Sequence, residues 1–116
     1  MRYLALIYGN EAEAAKMTQA EQEAEFNAYG EFAQAAGESG VLLGGEALHP
    51  TSAATTIRVQ NGKVLTTDGP FAETKEQLGG YYLIKTDNLD EAIKVASQIP
   101  GAKVGSIEIR PVMEWE

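Results

Sequence analysis

The residues best suited to acid–base chemistry fall in two short segments. Asp68 opens the run Asp68-Gly69-Pro70-Phe71, with Glu73 and Glu76 a few positions on. His49, the single histidine, stands before Pro50 at the end of an apolar stretch. A carboxylate becomes a useful general acid or base when burial or a second carboxylate raises its pKa. Glu73 and Glu76 are close enough in sequence to act as that neighbour. The imidazole of His49 suits proton transfer at neutral pH without such help. Both residues also have plain structural readings. An Asp before Gly-Pro often accepts hydrogen bonds from the backbone of its own turn. A His beside a Pro fits an exposed loop. At the level of sequence both readings stand.

Near the C-terminus, Ile107 and Ile109 alternate with Glu108 and Arg110. On a strand the isoleucines share one face and the charged pair shares the other. A desolvated Arg110 would grip a carboxylate or phosphate by two parallel hydrogen bonds. An ion pair with an acidic neighbour is the alternative. Phe71, Tyr82, Tyr81, Tyr3 and Tyr8 are candidates to line an apolar pocket with polar tips, or else belong to core and interface. One His without cysteines makes a zinc site unexpected. The glycine spacing around Gly79-Gly80 fits neither nucleotide motif, and no serine elbow is present. No metal and no cofactor are expected.

Alternation and spacing set the elements that would position these residues. Residues 2–8 read as a strand with Tyr3, Ala5 and Ile7 on one face and Leu4, Leu6 and Tyr8 on the other. Residues 9–17 read as a loop or frayed turn. Thr18-Gln19-Ala20-Glu21 fits a capping box, opening a helix whose apolar stripe is Phe26, Tyr29, Ala33 and Ala36, with Phe32 on the flank and Gly37 and Gly40 at its end. Residues 41–48 form a second strand, with Gly44-Gly45 suggesting a bulge or close backbone approach. Residues 55–59 and 63–67 flank Asn61-Gly62, a strong hairpin signal. A loop from Asp68 to Gly80 leads to a strand at 81–85. A second helix carries Leu89, Ala92, Ile93, Ala96 and Ile99 and stops at Pro100-Gly101. The last strand spans 106–112.

Strand, helix, strand, hairpin, strand, helix, strand is an α+β, ferredoxin-like β-α-β-β-α-β pattern with an inserted β-hairpin. Two helices cover one face of such a sheet. The first and third core strands are apolar on the other face too, so something must cover it. A second copy of the same sheet is the economical cover, which gives a homodimer.

Length and charge agree with one domain at 1–116. The chain has 116 residues, no cysteine, 44% hydrophobic residues and a net charge of −8. A domain this size buries roughly 60 to 70% of its unfolded surface, enough for one core without staples. Strong acidity without a basic run argues against direct nucleic-acid binding and against anionic membranes. No stretch approaches the roughly 20 apolar residues of a membrane span, and the short apolar N-terminus lacks a cleavage site. A cytoplasmic protein is expected.

The run Thr67-Asp68-Gly69-Pro70-Phe71-Ala72-Glu73-Thr74-Lys75-Glu76-Gln77-Leu78-Gly79-Gly80-Tyr81-Tyr82 closely resembles the signature of the YCII-related family, in its DGPF-domain branch. Arg2-Tyr3-Leu4, Gly45-Glu46-Ala47-Leu48, Asp90-Glu91-Ala92 and Ile109-Arg110-Pro111-Val112 fall in the expected order, so the resemblance spans nearly the whole chain. It implies a dimeric α+β barrel. Some related domains look like lyases or dehalogenases acting on small lactone-type rings, with a His and an Asp as a catalytic pair in a cleft. Asp68 matches the motif aspartate, and His49 lies near the end of the second strand. Other members of the branch are encoded beside, or joined to, alternative sigma factors. The resemblance therefore implies either a metal-independent lyase or isomerase acting on a small anionic ring compound, or a non-catalytic dimer that binds a ligand or a sigma factor.

Overall fold

The computed structural model describes residues 1–115. Strand β1 (Arg2–Gly9) leads through a short helix α1 (Glu11–Ala14) into a long helix α2 (Gln19–Glu38). Then follow β2 (Leu42–Ala47), the hairpin strands β3 (Thr55–Gln60) and β4 (Lys63–Asp68), β5 (Gln77–Lys85), α3 (Leu89–Ala96) and β6 (Ser106–Pro111). One antiparallel sheet has the order β2-β5-β1-β6. With the hairpin set aside, this is second, third, first, fourth, the ferredoxin-like arrangement read from the sequence. The hairpin is a sheet of its own. Its turn carries Asn61 at φ 51° and Gly62 at φ 78°, both in the left-handed region that a two-residue hairpin turn demands.

Register decides which side chains meet. Tyr3, Ala5 and Ile7 of β1 stand beside Ile84, Tyr82 and Gly80 of β5 and beside Pro111, Ile109 and Ile107 of β6. The helices cover this face. Tyr3, Ala5, Ile84, Phe32, Ala36, Ala92, Ala96 and Ile99 are buried there. The alanines let both helices lie close to the sheet. The Phe32 ring packs on Tyr82 with centroids 5.0 Å apart and planes tilted by 49°, an arrangement that aromatic quadrupoles favour. Gly45 permits the close approach of β2 to β5: a Cβ there would lie 2.5 Å from the Tyr81 carbonyl oxygen.

The Thr18 capping box is formed. The Thr18 N–H donates to Glu21 Oε1 at 2.9 Å, and the Glu21 N–H donates to Thr18 Oγ1 at 3.1 Å. The bond from the Thr18 N–H, aided by the Thr18 side chain, holds the Glu21 carboxyl below its ordinary pKa. Beyond the cap the packing differs from the expected stripe. Phe32 is the core residue, at 7% exposure, whereas Phe26 is 79% exposed. A twenty-residue helix is about 30 Å long, and residues 18–27 are all exposed. The first turns of α2 run past the layer that the sheet supplies. The helix also continues through Gly37 to Glu38, and Gly40 at φ 78° makes the turn out.

Three further boundaries move. Residues 11–14 form α1, capped by the Asn10 side chain, rather than a frayed turn. Helix α3 ends at Ala96, before Pro100, which instead starts a 3-10 turn over Pro100–Lys103. Ile99 stays in the core from that connection, while Leu89 and Ile93 are half exposed. Strand β5 begins at Gln77, so Gly79 and Gly80 lie inside it and not in a loop. Among the described residues no helix is long and apolar enough to cross a membrane.

The two phenylalanines of α2 give a direct check. Phe32→Ala should lower stability by about 3 kcal/mol, the usual cost of emptying an aromatic core site. Phe26→Ala should cost less than about 0.5 kcal/mol. Urea unfolding followed by circular dichroism reads both, and similar losses would contradict the helix placement.

Candidate functional site

The face of the sheet away from the helices has an apolar floor. Leu4 and Leu6 of β1 pair with Leu83 and Tyr81 of β5, and Tyr8 pairs with Leu78 beyond a register shift. All six are half-buried. On β6, Arg110, Glu108 and Ser106 stand beside the same Leu4, Leu6 and Tyr8. Glu46 of β2 sits opposite Tyr81. A floor of aliphatic and phenolic side chains with a few charged groups at its margin is the usual make-up of a small-ligand site.

Arg110 and Glu108 lie on this face, two residues apart on one strand. The Arg110 Nε donates a short charge-assisted hydrogen bond to Glu108 Oε2, which raises the guanidinium pKa above its ordinary value. Both side chains remain partly solvated, so the pair orients the guanidinium more than it stabilises the fold. Among the described residues the terminal nitrogens of Arg110 have no partner.

Tyr82 is not beside them. It pairs with Ala5 on the helix-covered face and packs on Phe32. Partial burial pushes its phenol above the ordinary value. Tyr81 is the tyrosine of this pair that faces the open side. Adjacent tyrosines on a strand must point to opposite faces, but only the register with β1 says which faces where.

The other sequence candidates lie on loops. Asp68 ends β4 opposite Thr55 and is exposed. Gly69 follows at φ 103°, a conformation that L side chains rarely adopt. Its N–H donates to the Ala54 oxygen at 2.7 Å, and its own oxygen accepts from Thr56 Oγ1 at 2.8 Å. The backbone of the turn is thus tied to the hairpin root, and the Asp68 carboxylate has no hydrogen-bond partner among the described residues. Phe71, 80% exposed, and Glu73 lie on the loop beyond it. His49 is exposed in the segment between β2 and a 3-10 turn at Thr51–Ala53. No hydrogen bond joins His49 to Asp68.

What joins the two loops is Glu11. Its carboxylate accepts from the Thr51 N–H at 2.8 Å and from Thr51 Oγ1 at 2.7 Å. Its own N–H donates to Gln77 Oε1 at 2.9 Å, and Gln77 Nε2 donates to the Thr74 oxygen at 2.6 Å. Ser106 Oγ donates to Glu76 Oε1 at 2.7 Å, and the Leu48 N–H donates to the Gly79 oxygen at 2.9 Å. The segment carrying His49 and the C-terminal part of the Asp68–Glu76 loop are therefore anchored at one end of the sheet. Sequence reading passed over Glu11 and Gln77. The available signal was Asn10, a good N-cap, ahead of Glu11.

Glu11→Ala should remove both bonds to Thr51 and cost about 1 to 2 kcal/mol, since charge-assisted bonds at a partly solvated site lie at the lower end of their range. Hydrogen exchange should accelerate at the Thr51 amide and leave the β1–β5 ladder protected. Unchanged exchange at Thr51 would show that Glu11 does not hold this loop.

The model of the YCII-related domain matches residues 1–116. An uncharacterised protein of Rhizobium meliloti (strain 1021) is 39% identical over 114 residues, covering 97% of this chain and 92% of that relative. A family match along the whole length, on a ferredoxin-like sheet whose signature run forms β5 and the loop before it, shows that this chain belongs to the YCII-related family.

Proposed function

We propose that the chain is a cytoplasmic, metal-independent enzyme of lyase or isomerase type. Its substrate would be a small anionic ring compound bound on the open face of the sheet in a homodimer. The observation that carries this reading is the pairing of an apolar, tyrosine-bearing floor with Arg110, whose terminal nitrogens have no partner among the described residues. Apolar floor and guanidinium suit the two halves of such a ligand, ring and carboxylate. Asp68 acts as the acid or base, with His49 as its partner and Phe71 and Glu73, on the loop that follows Asp68, as further contacts. Tyr82 supports the floor from behind, through its packing on Phe32.

A second reading, a non-catalytic dimer that binds a small ligand or a sigma factor, has one observation in its favour. Asp68 and His49 are both exposed, whereas a carboxylate acting as a general acid needs a raised pKa.

A thermal-shift screen of small carboxylates, lactones and phenolic acids separates the two. A ligand bound only by the folded state raises the melting temperature. On the enzymatic reading a hit is found, Arg110→Ala weakens its Kd at least about tenfold, or about 1.4 kcal/mol, and Asp68→Asn abolishes turnover while binding persists. A hit that Asp68→Asn turns over at the wild-type rate would remove the aspartate from the chemistry and leave the binding reading.

A further inference from the structure

The open face of the sheet is charged unevenly. Its strands run in the order β2-β5-β1-β6. Register lines up Gly44, Leu83, Leu4 and Arg110 in one row across them, and Glu46, Tyr81, Leu6 and Glu108 in the next. Arg110 is the cation of these two rows and stands at the β6 margin. Its Nε is held by Glu108, one row on. The guanidinium is therefore turned along β6 toward the row of Tyr8, which follows that of Leu6 on the same face. The hydrogen bond to Glu108 is the main cause of the raised Arg110 pKa, followed by the Glu108 charge, and the Tyr8 phenol adds a smaller part.

The other margins carry the opposite sign. Glu46, across the row from Glu108, is exposed and belongs to no ion pair among the described residues. Three strand spacings separate the two backbones, about 14 Å. At the Tyr8 end, Glu76 just ahead of β5 accepts from Ser106 of β6. Strand β1 runs between those two strands, so the Glu76 carboxylate closes that end of the floor. Two more cations, Arg2 and Lys85, pair with each other beyond the Leu4 row. There the Arg2 guanidinium is filled by Glu114 through two hydrogen bonds. A ring lying on Tyr81 and Leu6 with its carboxylate at Arg110 thus points its far edge at Glu46.

We propose that this face selects ring monocarboxylates and rejects dicarboxylates, with Arg110 and Tyr8 as the two donors to the single carboxylate, Glu108 as the positioning residue that aims Arg110, and Glu46 as the residue that excludes a second negative charge. The proposal rests on the reading of the open face as an anion-binding floor. A guanidinium left to swing must be ordered by the ligand itself, which costs affinity, whereas one already aimed by Glu108 does not. Glu46 works in the other direction. Specificity is a difference of affinities, and a like charge placed against the wrong ligand supplies it without strengthening the right one.

Titration of the full chain with benzoate, terephthalamate and terephthalate, followed by the methyl signals of Leu4, Leu6 and Leu83 in NMR, tests this. Benzoate and terephthalamate, each with one charge, should shift those signals with similar Kd. Terephthalate should bind at least about fivefold more weakly at low salt, as expected for like charges a few Å apart in a partly solvated site, and the gap should shrink in high salt. Glu46→Gln should close the gap without changing the benzoate Kd. Glu108→Ala should weaken benzoate at least about fivefold and speed exchange of the Arg110 Nε proton, and Glu108→Gln, which keeps an acceptor, should restore most of both. Tyr8→Phe should weaken benzoate and leave the terephthalate gap in place. Terephthalate binding as tightly as terephthalamate, a gap that survives Glu46→Gln, or benzoate binding indifferent to Glu108→Ala or Tyr8→Phe would each overturn the proposal while the anion-binding floor stands. Floor methyl signals that respond to none of the three probes would remove the floor and the proposal together.

Discussion

Strands β1 and β5 are apolar on both sides, and the helices reach only one of them. Everything else in the molecule follows from that asymmetry. Tyr3, Ala5, Tyr82 and Ile84 meet α2 and α3 and form the core. Leu4, Leu6, Tyr81 and Leu83, between them in sequence, have no second layer. The core that results is thin. Among the described residues its only large side chains under 2% exposure are Ile84 and Ile99, and the shortest extent is 19 Å. That is a sheet with a single layer of helix, short of the three-layer arrangement that two-sided strands call for.

Polar organisation at the end of the sheet has a different logic. Helix α1 is only four residues long and contributes little packing. Its value lies in where it sets Glu11. One carboxylate there satisfies two donors at Thr51, while the backbone of the same residue reaches Gln77. The loops from β2 and into β5 would otherwise be free to move apart, since the hairpin between them packs mainly on itself. Loops held at their bases by a rigid scaffold, with polar side chains displayed beyond, are the usual place for function.

How much of this could be read from the residues depended on how local the cause was. Alternation in β1 and β6, the Thr18 cap and the Asn61-Gly62 turn are each set by a few neighbouring residues, and each formed where expected. The placement of Phe26 and Phe32 was not local. Both fit a helical stripe, and the choice between them rests on how far α2 overhangs the sheet. Tyr81 and Tyr82 pose the same difficulty on a strand: alternation says that they part, and only pairing with Leu6 and Ala5 says which goes inward. Helix α3 offered Leu89 and Ile93 as core residues, yet the small Ala92 and Ala96 take the buried positions because close helix–sheet approach favours them. Glu11 was hidden because its partners lie 40 and 66 residues away.

Asp68 brings these strands of argument together. A carboxylate that serves as a general acid or base needs apolar surroundings or a nearby like charge, and Asp68 is exposed at the root of an arm with no hydrogen-bond partner among the described residues. The residues beside it on that arm face are Ile57, Val59 and Val64, which water surrounds at a cost of about 25 cal/mol for each Å² of apolar surface left uncovered. Whatever covers those three side chains also removes water from the aspartate that shares their face. Covering the arm and drying Asp68 are therefore one physical event, and the acid–base role proposed for Asp68 depends on it.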